Sequence, residues 1–176
     1  SGGSVSEKKS MTLQEKWAKD SKTGIKITPP KKTQAHDADG PAVTELTVYG
    51  LPVVIECRKG EIRTGPGWSQ VMAYDYGYIK GQKGADGDSL DVALGPEPES
   101  DWVYIFDQKH LLPGKGFDES KVFLGWSSLG DAIKAFNAGH DRACLVYLDV
   151  TPMQIADFKQ WLKTRDPMEP AGGVRP

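Results

Sequence analysis

Between residues 44 and 126 the chain is cut by glycine and proline into apolar runs too short for domain-spanning helices. Gly50, Gly60, Gly65-Pro66-Gly67, Gly95-Pro96 and Pro113-Gly114 fall between them, and these residues punctuate because they set or free φ and withdraw backbone donors. The runs at 44–49, 51–57, 69–74, 89–94, 102–107 and 121–126, with a later one at 143–149, have the length and composition of strands. Helical signals come only afterwards. Ser128 and Asp131 stand at capping spacing and predict a helix over 128–138. Thr151 as N-cap, Pro152 in the first turn and Gln154 as the capping-box partner predict another over 152–164. Its apolar face would be Ile155, Phe158, Trp161 and Leu162, near a period of 3.6. Strands first and helices last exclude a βαβ array. The pattern predicts an α+β, mainly β domain: an antiparallel sheet or small barrel with helices packed outside.

Charge divides the chain. The 176 residues carry a formal net charge of −2. Residues 1–34 hold eight lysines against three acids, a net +5, and the remainder holds fourteen basic and twenty-one acidic residues, a net −7. The expected organisation is a basic linker or tail over 1–43, a folded domain over 44–165 and a C-terminal tail over 166–176. Ser1-Gly2-Gly3-Ser4 has linker composition, and Thr12 and Glu15 are spaced for a short helix at 12–19. A charge total near zero argues against a dedicated nucleic-acid binder. No apolar run of 18 residues exists, so no membrane span is expected. Ser1 to Lys22 is polar, without the apolar core of a secretory leader. Cys57 and Cys144 are too few for a disulfide framework and read as buried thiols in a reducing, cytoplasmic compartment.

The acids are not spread evenly. Asp86-Gly87-Asp88-Ser89-Leu90-Asp91 sets three carboxylates within six residues. The following strand puts Leu90, Val92 and Leu94 on one face and Asp91 and Ala93 on the other. A turn followed by the first strand residues can aim all three acids at one point, where cations must neutralise them or protons must bind. With no His or Cys nearby, a hard oxygen-preferring ion such as Mg²⁺ is the natural partner. The competing reading is an ordinary Asp-Gly-Asp turn. A calcium EF-hand is excluded, because Asp91 falls where that loop requires glycine and the flanks read as strand.

Tyr76-Gly77-Tyr78-Ile79, a short loop, and then Asp86-Gly87-Asp88-Ser89-Leu90-Asp91-Val92 resembles the signature of the family I soluble inorganic pyrophosphatases. Ser89 stands where that family usually has proline. Val53-Val54-Ile55-Glu56 resembles the family's early strand ending in an active-site glutamate. The resemblance implies a small, twisted, five-stranded OB-like barrel with helices outside. It also implies hydrolysis of pyrophosphate, or a related phosphoanhydride, by water activated on several Mg²⁺ ions. On that pattern Asp86 and Asp91 match metal ligands, Asp88 the residue that orients or deprotonates the attacking water, Glu56 a carboxylate for a further metal, and Tyr76 a tyrosine lining the site.

The family's later elements match less fully. Phe117-Asp118-Glu119-Ser120-Lys121 offers an acid-x-Lys spacing, with Asp118 or Glu119 as metal ligand and Lys121 toward substrate. Asp107, ending the apolar run 102–106, is the remaining candidate ligand. Arg63 is the best match to the family's phosphate-binding cation and Lys59 the second, while the next arginine and the late Tyr-Lys pair have no counterpart. Residues 76–91 and 117–125 also resemble the compact pyrophosphatase-like domains carried in phage or mobile-element polyproteins. That likeness implies a module of a larger chain in a bacterial cytoplasm. A catalytically weak module that only binds metal or phosphate ligands is the alternative.

Overall fold

A computed structural model describes residues 44–110, 114–139 and 147–172. The basic segment 1–43, the helix expected at 12–19, Cys144 and residues 143–146 of the last expected strand lie outside the described residues.

Nine strands and two helices follow in chain order. The strands are β1 (Thr44–Val48), β2 (Leu51–Cys57), β3 (Ile62–Gly65), β4 (Trp68–Val71), β5 (Asp75–Lys83), β6 (Ser89–Leu94), β7 (Trp102–Lys109) and β8 (Phe117–Leu124), then β9 (Tyr147–Gln154) after the first helix. The helices are α1 (Leu129–Ala138) and α2 (Ile155–Thr164). Seven strands form one sheet in the order β1-β2-β5-β6-β8-β7-β9, and β3 and β4 pair as a separate hairpin. The sheet is mixed, because β6 and β8 run parallel while every other pair is antiparallel. The mainly β, α+β expectation holds. The five-stranded barrel does not: among the described residues β1 and β9 are the two edges, and the sheet is not closed.

Two strands, β3 and β5, lie outside the seven expected runs, and β9 takes in the expected start of a helix. The Tyr-Gly-Tyr stretch, which lies in none of the expected runs, belongs to a nine-residue strand, β5. It works as a strand because Gly77 lets β2 come close. An ideal Cβ on Gly77 would overlap the Val54 carbonyl and stand 2.9 Å from Ile55 Cα. At the other end, β9 continues through Pro152, Met153 and Gln154, which pair with Tyr104, Val103 and Trp102. Helix α2 therefore starts at Ile155, with Gln154 as an N-cap that makes no side-chain cap bond. Proline is tolerated because β9 is an edge strand, where a missing N–H need not break a ladder. Helix α1 forms as its capping pair foretold, the Ser128 side chain accepting from Asp131 N at 3.1 Å.

Side chains alternate across the sheet and give it two cores. One face carries Val53, Ile55, Ile79, Leu90, Val92, Val122 and Ile105, covered by Phe158 and Leu162 of α2. The other carries Tyr74, Tyr76, Ala93, Phe123, Tyr104 and Phe106, covered by Ala132 and Phe136 of α1. Phe136 lies flat on Phe106, with ring centroids 4.4 Å apart. The β1–β2 hairpin turns on Tyr49 and Gly50, both at positive φ (53° and 80°), as the twist of a two-residue turn requires. The Tyr49 hydroxyl secures that conformation by reaching the carbonyls of Pro98 at 2.9 Å and Ser100 at 2.8 Å. No helix among the described residues is long and apolar enough to cross a membrane.

Candidate functional site

The aromatic core on the α1 face gives way to polar groups at one end of the sheet. Parallel pairing of β6 and β8 sets Asp91 opposite Lys121, and the Lys121 ammonium lies 3.0 Å from Asp91 Oδ2. Glu119, two residues earlier on β8 and so on the same face, brings Oε1 to 3.3 Å from that ammonium. The ammonium also donates to the Tyr76 hydroxyl at 2.7 Å and lies 5.1 Å from the Tyr76 ring centroid. One buried amine thus ties three strands, β5, β6 and β8, at a single point.

The environment sets the protonation states. Desolvation is the largest influence on Lys121 and opposes its charge, but Tyr76, Asp91 and Glu119 together outweigh it and hold the amine above its ordinary range. Burial pushes the Glu119 carboxyl up, Lys121 pulls it down, and Asp91 adds to the rise. Burial likewise pushes Tyr76 up, so its hydroxyl keeps its proton through the neutral range.

Around this knot the other expected residues fall into two groups. Arg63 belongs with it: the β3–β4 hairpin carries its guanidinium to 5.3 Å from the Tyr76 ring centroid. Gln70, opposite Arg63 in the hairpin, donates to the Gly139 carbonyl at the end of α1 and docks the hairpin there. Glu56 sits in a register shift of β2 between Ile55 and Cys57, where Cys57 faces Tyr76. Its charge is felt by Cys57 and by Tyr78, which is Asp91's cross-strand neighbour. Asp86 and Asp88 stand exposed on the turn that feeds β6. Asp86 Oδ1 accepts from Asp88 N at 3.0 Å, and Gly87 takes the positive φ (86°) that the turn needs.

Three residues are not brought to the group. Asp107 points to the opposite face and is buried, 1 % exposed. It accepts from Ser120 Oγ at 2.9 Å, Ala171 N at 2.8 Å and Gly172 N at 3.0 Å. Its carboxylate anchors the C-terminal segment. Asp118 alternates away from Glu119 and lies 3.5 Å from His110 Nδ1. Lys59 is exposed, and it is its backbone N–H that acts, donating to Asp75 Oδ1 at 2.8 Å. Residue reasoning missed Gln108, which pairs with Glu119 and whose Oε1 is buried without a partner among the described residues. The only available signal was its place next to Asp107. The unbroken apolar run 103–106 concealed which of the two would face the site, because a strand buried on both sides shows no alternation.

The donors near the knot are all oxygens, the set a hard divalent cation takes. Among the described residues, however, no three His, Cys, Asp or Glu side chains stand close enough to hold an ion. An ammonium, rather than a third carboxylate, lies between Asp91 and Glu119.

Carboxylates beside a retained ammonium, an exposed guanidinium on an aromatic floor and an acidic turn thus stand along neighbouring strands and their adjoining hairpin. The chain belongs to the inorganic pyrophosphatase family, whose model matches residues 33–163. No curated protein and no solved structure matches it.

Proposed function

We propose that this chain hydrolyses inorganic pyrophosphate, or a related phosphoanhydride, with Mg²⁺ ions that Asp86, Asp91, Glu119 and Glu56 would each contact singly, substrate phosphate oxygens and water completing the coordination. The observation that carries the reading is the Tyr76–Lys121–Asp91–Glu119 knot beside the Asp86–Asp88 turn, with Arg63 over the same tyrosine. The bound ions would neutralise the diphosphate and make an attacking water more acidic. The chain's own residues do the rest. Arg63 offers two parallel N–H donors to a phosphate. Lys121 pairs with Asp91 and directs its carboxylate, and places positive charge where the leaving phosphate gains negative charge. Asp88 accepts the proton of the attacking water.

The test is phosphate release from pyrophosphate with Mg²⁺. Activity is expected for the wild-type chain and is expected to vanish with a chelator or in Asp91→Ala. Replacing Asp88 with Asn is expected to leave Mg²⁺ binding by calorimetry intact while kcat falls by roughly 10²-fold, the usual weight of a general base. Release no greater than in Asp91→Ala would overturn the reading. A second reading, a module that binds metal or phosphate ligands without turnover, is favoured by the missing counterparts of the family's further arginine and late Tyr-Lys pair. Calorimetric binding of pyrophosphate with Mg²⁺ and no release would establish it.

A further inference from the structure

The acidic turn is held from outside the sheet. The β5–β6 ladder pairs Ile79 with Leu90 and then jumps to Lys83 with Ser89, so Lys80, Gly81 and Gln82 bulge out where β5 runs into the turn. Gly81 adopts φ of 82° there. A bulge of this size leaves its carbonyls without ladder partners and leaves the turn without the register that a continuous hairpin would supply. One side chain from the far end of the sequence fills that gap. Arg165, just past α2, donates from one terminal nitrogen to the Lys83 carbonyl at 2.6 Å and from the other to Gln82 Oε1 at 3.4 Å. Its guanidinium lies 5.0 Å from the Trp161 ring centroid, which fixes its plane. Its Nε is buried with no partner among the described residues, so the two terminal nitrogens do the holding. Lys83 is followed at once by Gly84, whose N–H donates to the Asp88 carbonyl and closes the turn.

We propose that Arg165 is a positioning residue for the acidic turn. By clamping the bulge at Gln82 and Lys83 it sets where Asp86 and Asp88 stand relative to Asp91, although it touches none of them. The inference rests on the proposed role of that turn in cation and phosphate chemistry, but its test does not. Amide hydrogen exchange in the full chain without metal reads the turn directly. In Arg165→Ala the amides of Gly84, Gly87 and Asp88 are expected to exchange at least roughly tenfold faster, the scale of a lost charge-assisted hydrogen bond, while those of Val92 and Val122 keep their rates. Arg165→Lys, which can reach the Lys83 carbonyl but not both acceptors, is expected to fall between. Calorimetry with Mg²⁺ alone is then expected to show weaker binding in Arg165→Ala than in wild type. Unchanged exchange at Gly84, or an equal rise across β5, β6 and β8, would overturn the proposal. Faster turn exchange in a chain whose wild type releases no phosphate would keep Arg165 as the clamp and remove the hydrolase reading instead.

Discussion

Lys121 lies 3.0 Å from one carboxylate and 3.3 Å from another, with its side chain only 12 % exposed. Removing the amine strands two acids on adjacent strands with nothing between them. Lys121→Met is therefore expected to destabilise the fold by about 2 kcal/mol, below the range for a wholly buried pair because water still reaches Asp91. Urea denaturation checks this. Adding Glu119→Gln is expected to recover part of the loss, since it removes one of the stranded charges. At the residue scale the sequence singled out Tyr76, Asp91 and Lys121 one by one from separate motifs, and the pairing of β5, β6 and β8 brings them together. It left Asp118 against Glu119 open and offered Asp107 as a further candidate, because parity in a strand buried on both faces is visible only after the strand is paired.

Gly77 shows what an element can demand. It sits where β2 shifts register, and a side chain there would occupy the space of the Val54 carbonyl. Gly77→Ala is expected to cost about 3 kcal/mol, at the upper end of overpacking, because a backbone carbonyl cannot swing aside. Denaturant unfolding gives the number, and increased exchange of the β2 amides locates the damage. Helix boundaries teach the same lesson from the other side. Ser128 and Asp131 form a local pair and were legible without any fold. Thr151, Pro152 and Gln154 looked equally like a helix start, yet pairing with β7 draws them into β9. Local capping signals decide only where no partner strand competes for the same backbone. Asp107 is an element-scale residue too: Asp107→Ala is expected to free Ala171 and Gly172, read as faster exchange of those two amides with phosphate release unchanged.

Across the whole molecule, buried phenols dominate the alkaline response. Burial first, and then the nearby acids Asp101 and Glu99, push Tyr49 up to about 12. Burial pushes Tyr74 up to about 12 against the pull of Lys121, and Tyr76 is pushed up as well. These groups keep their protons in the folded chain and lose them near the ordinary value of 10 when unfolded. Above pH 10 the folded state therefore binds more protons, and stability falls as pH rises. The contribution is whole below pH 10 and is lost toward pH 12, by about 1.4 kcal/mol per pH unit for each group. Lys121, raised by Tyr76, Asp91 and Glu119 against its burial, loses its contribution in the same direction at still higher pH. Denaturant unfolding at stepped pH, with tyrosinate absorbance recorded, is expected to show ionisation arriving together with unfolding rather than before it. Stability flat between pH 10 and 12 would contradict the burial of these hydroxyls.

The mainly β class, the acidic turn and the capped first helix were determined by the sequence itself. Each depends on residues close in the chain: turn glycines, alternation, and capping pairs. Tertiary structure alone decided that seven strands make an unclosed mixed sheet and that Glu119 and not Asp118 meets Lys121. It also decided that Asp107 holds the C-terminal segment and that Arg165 reaches back to Lys83. These outcomes turn on strand register and on contacts between residues some eighty positions apart. Every side chain changes face with a one-residue slip, and no local pattern encodes which slip the packed sheet selects.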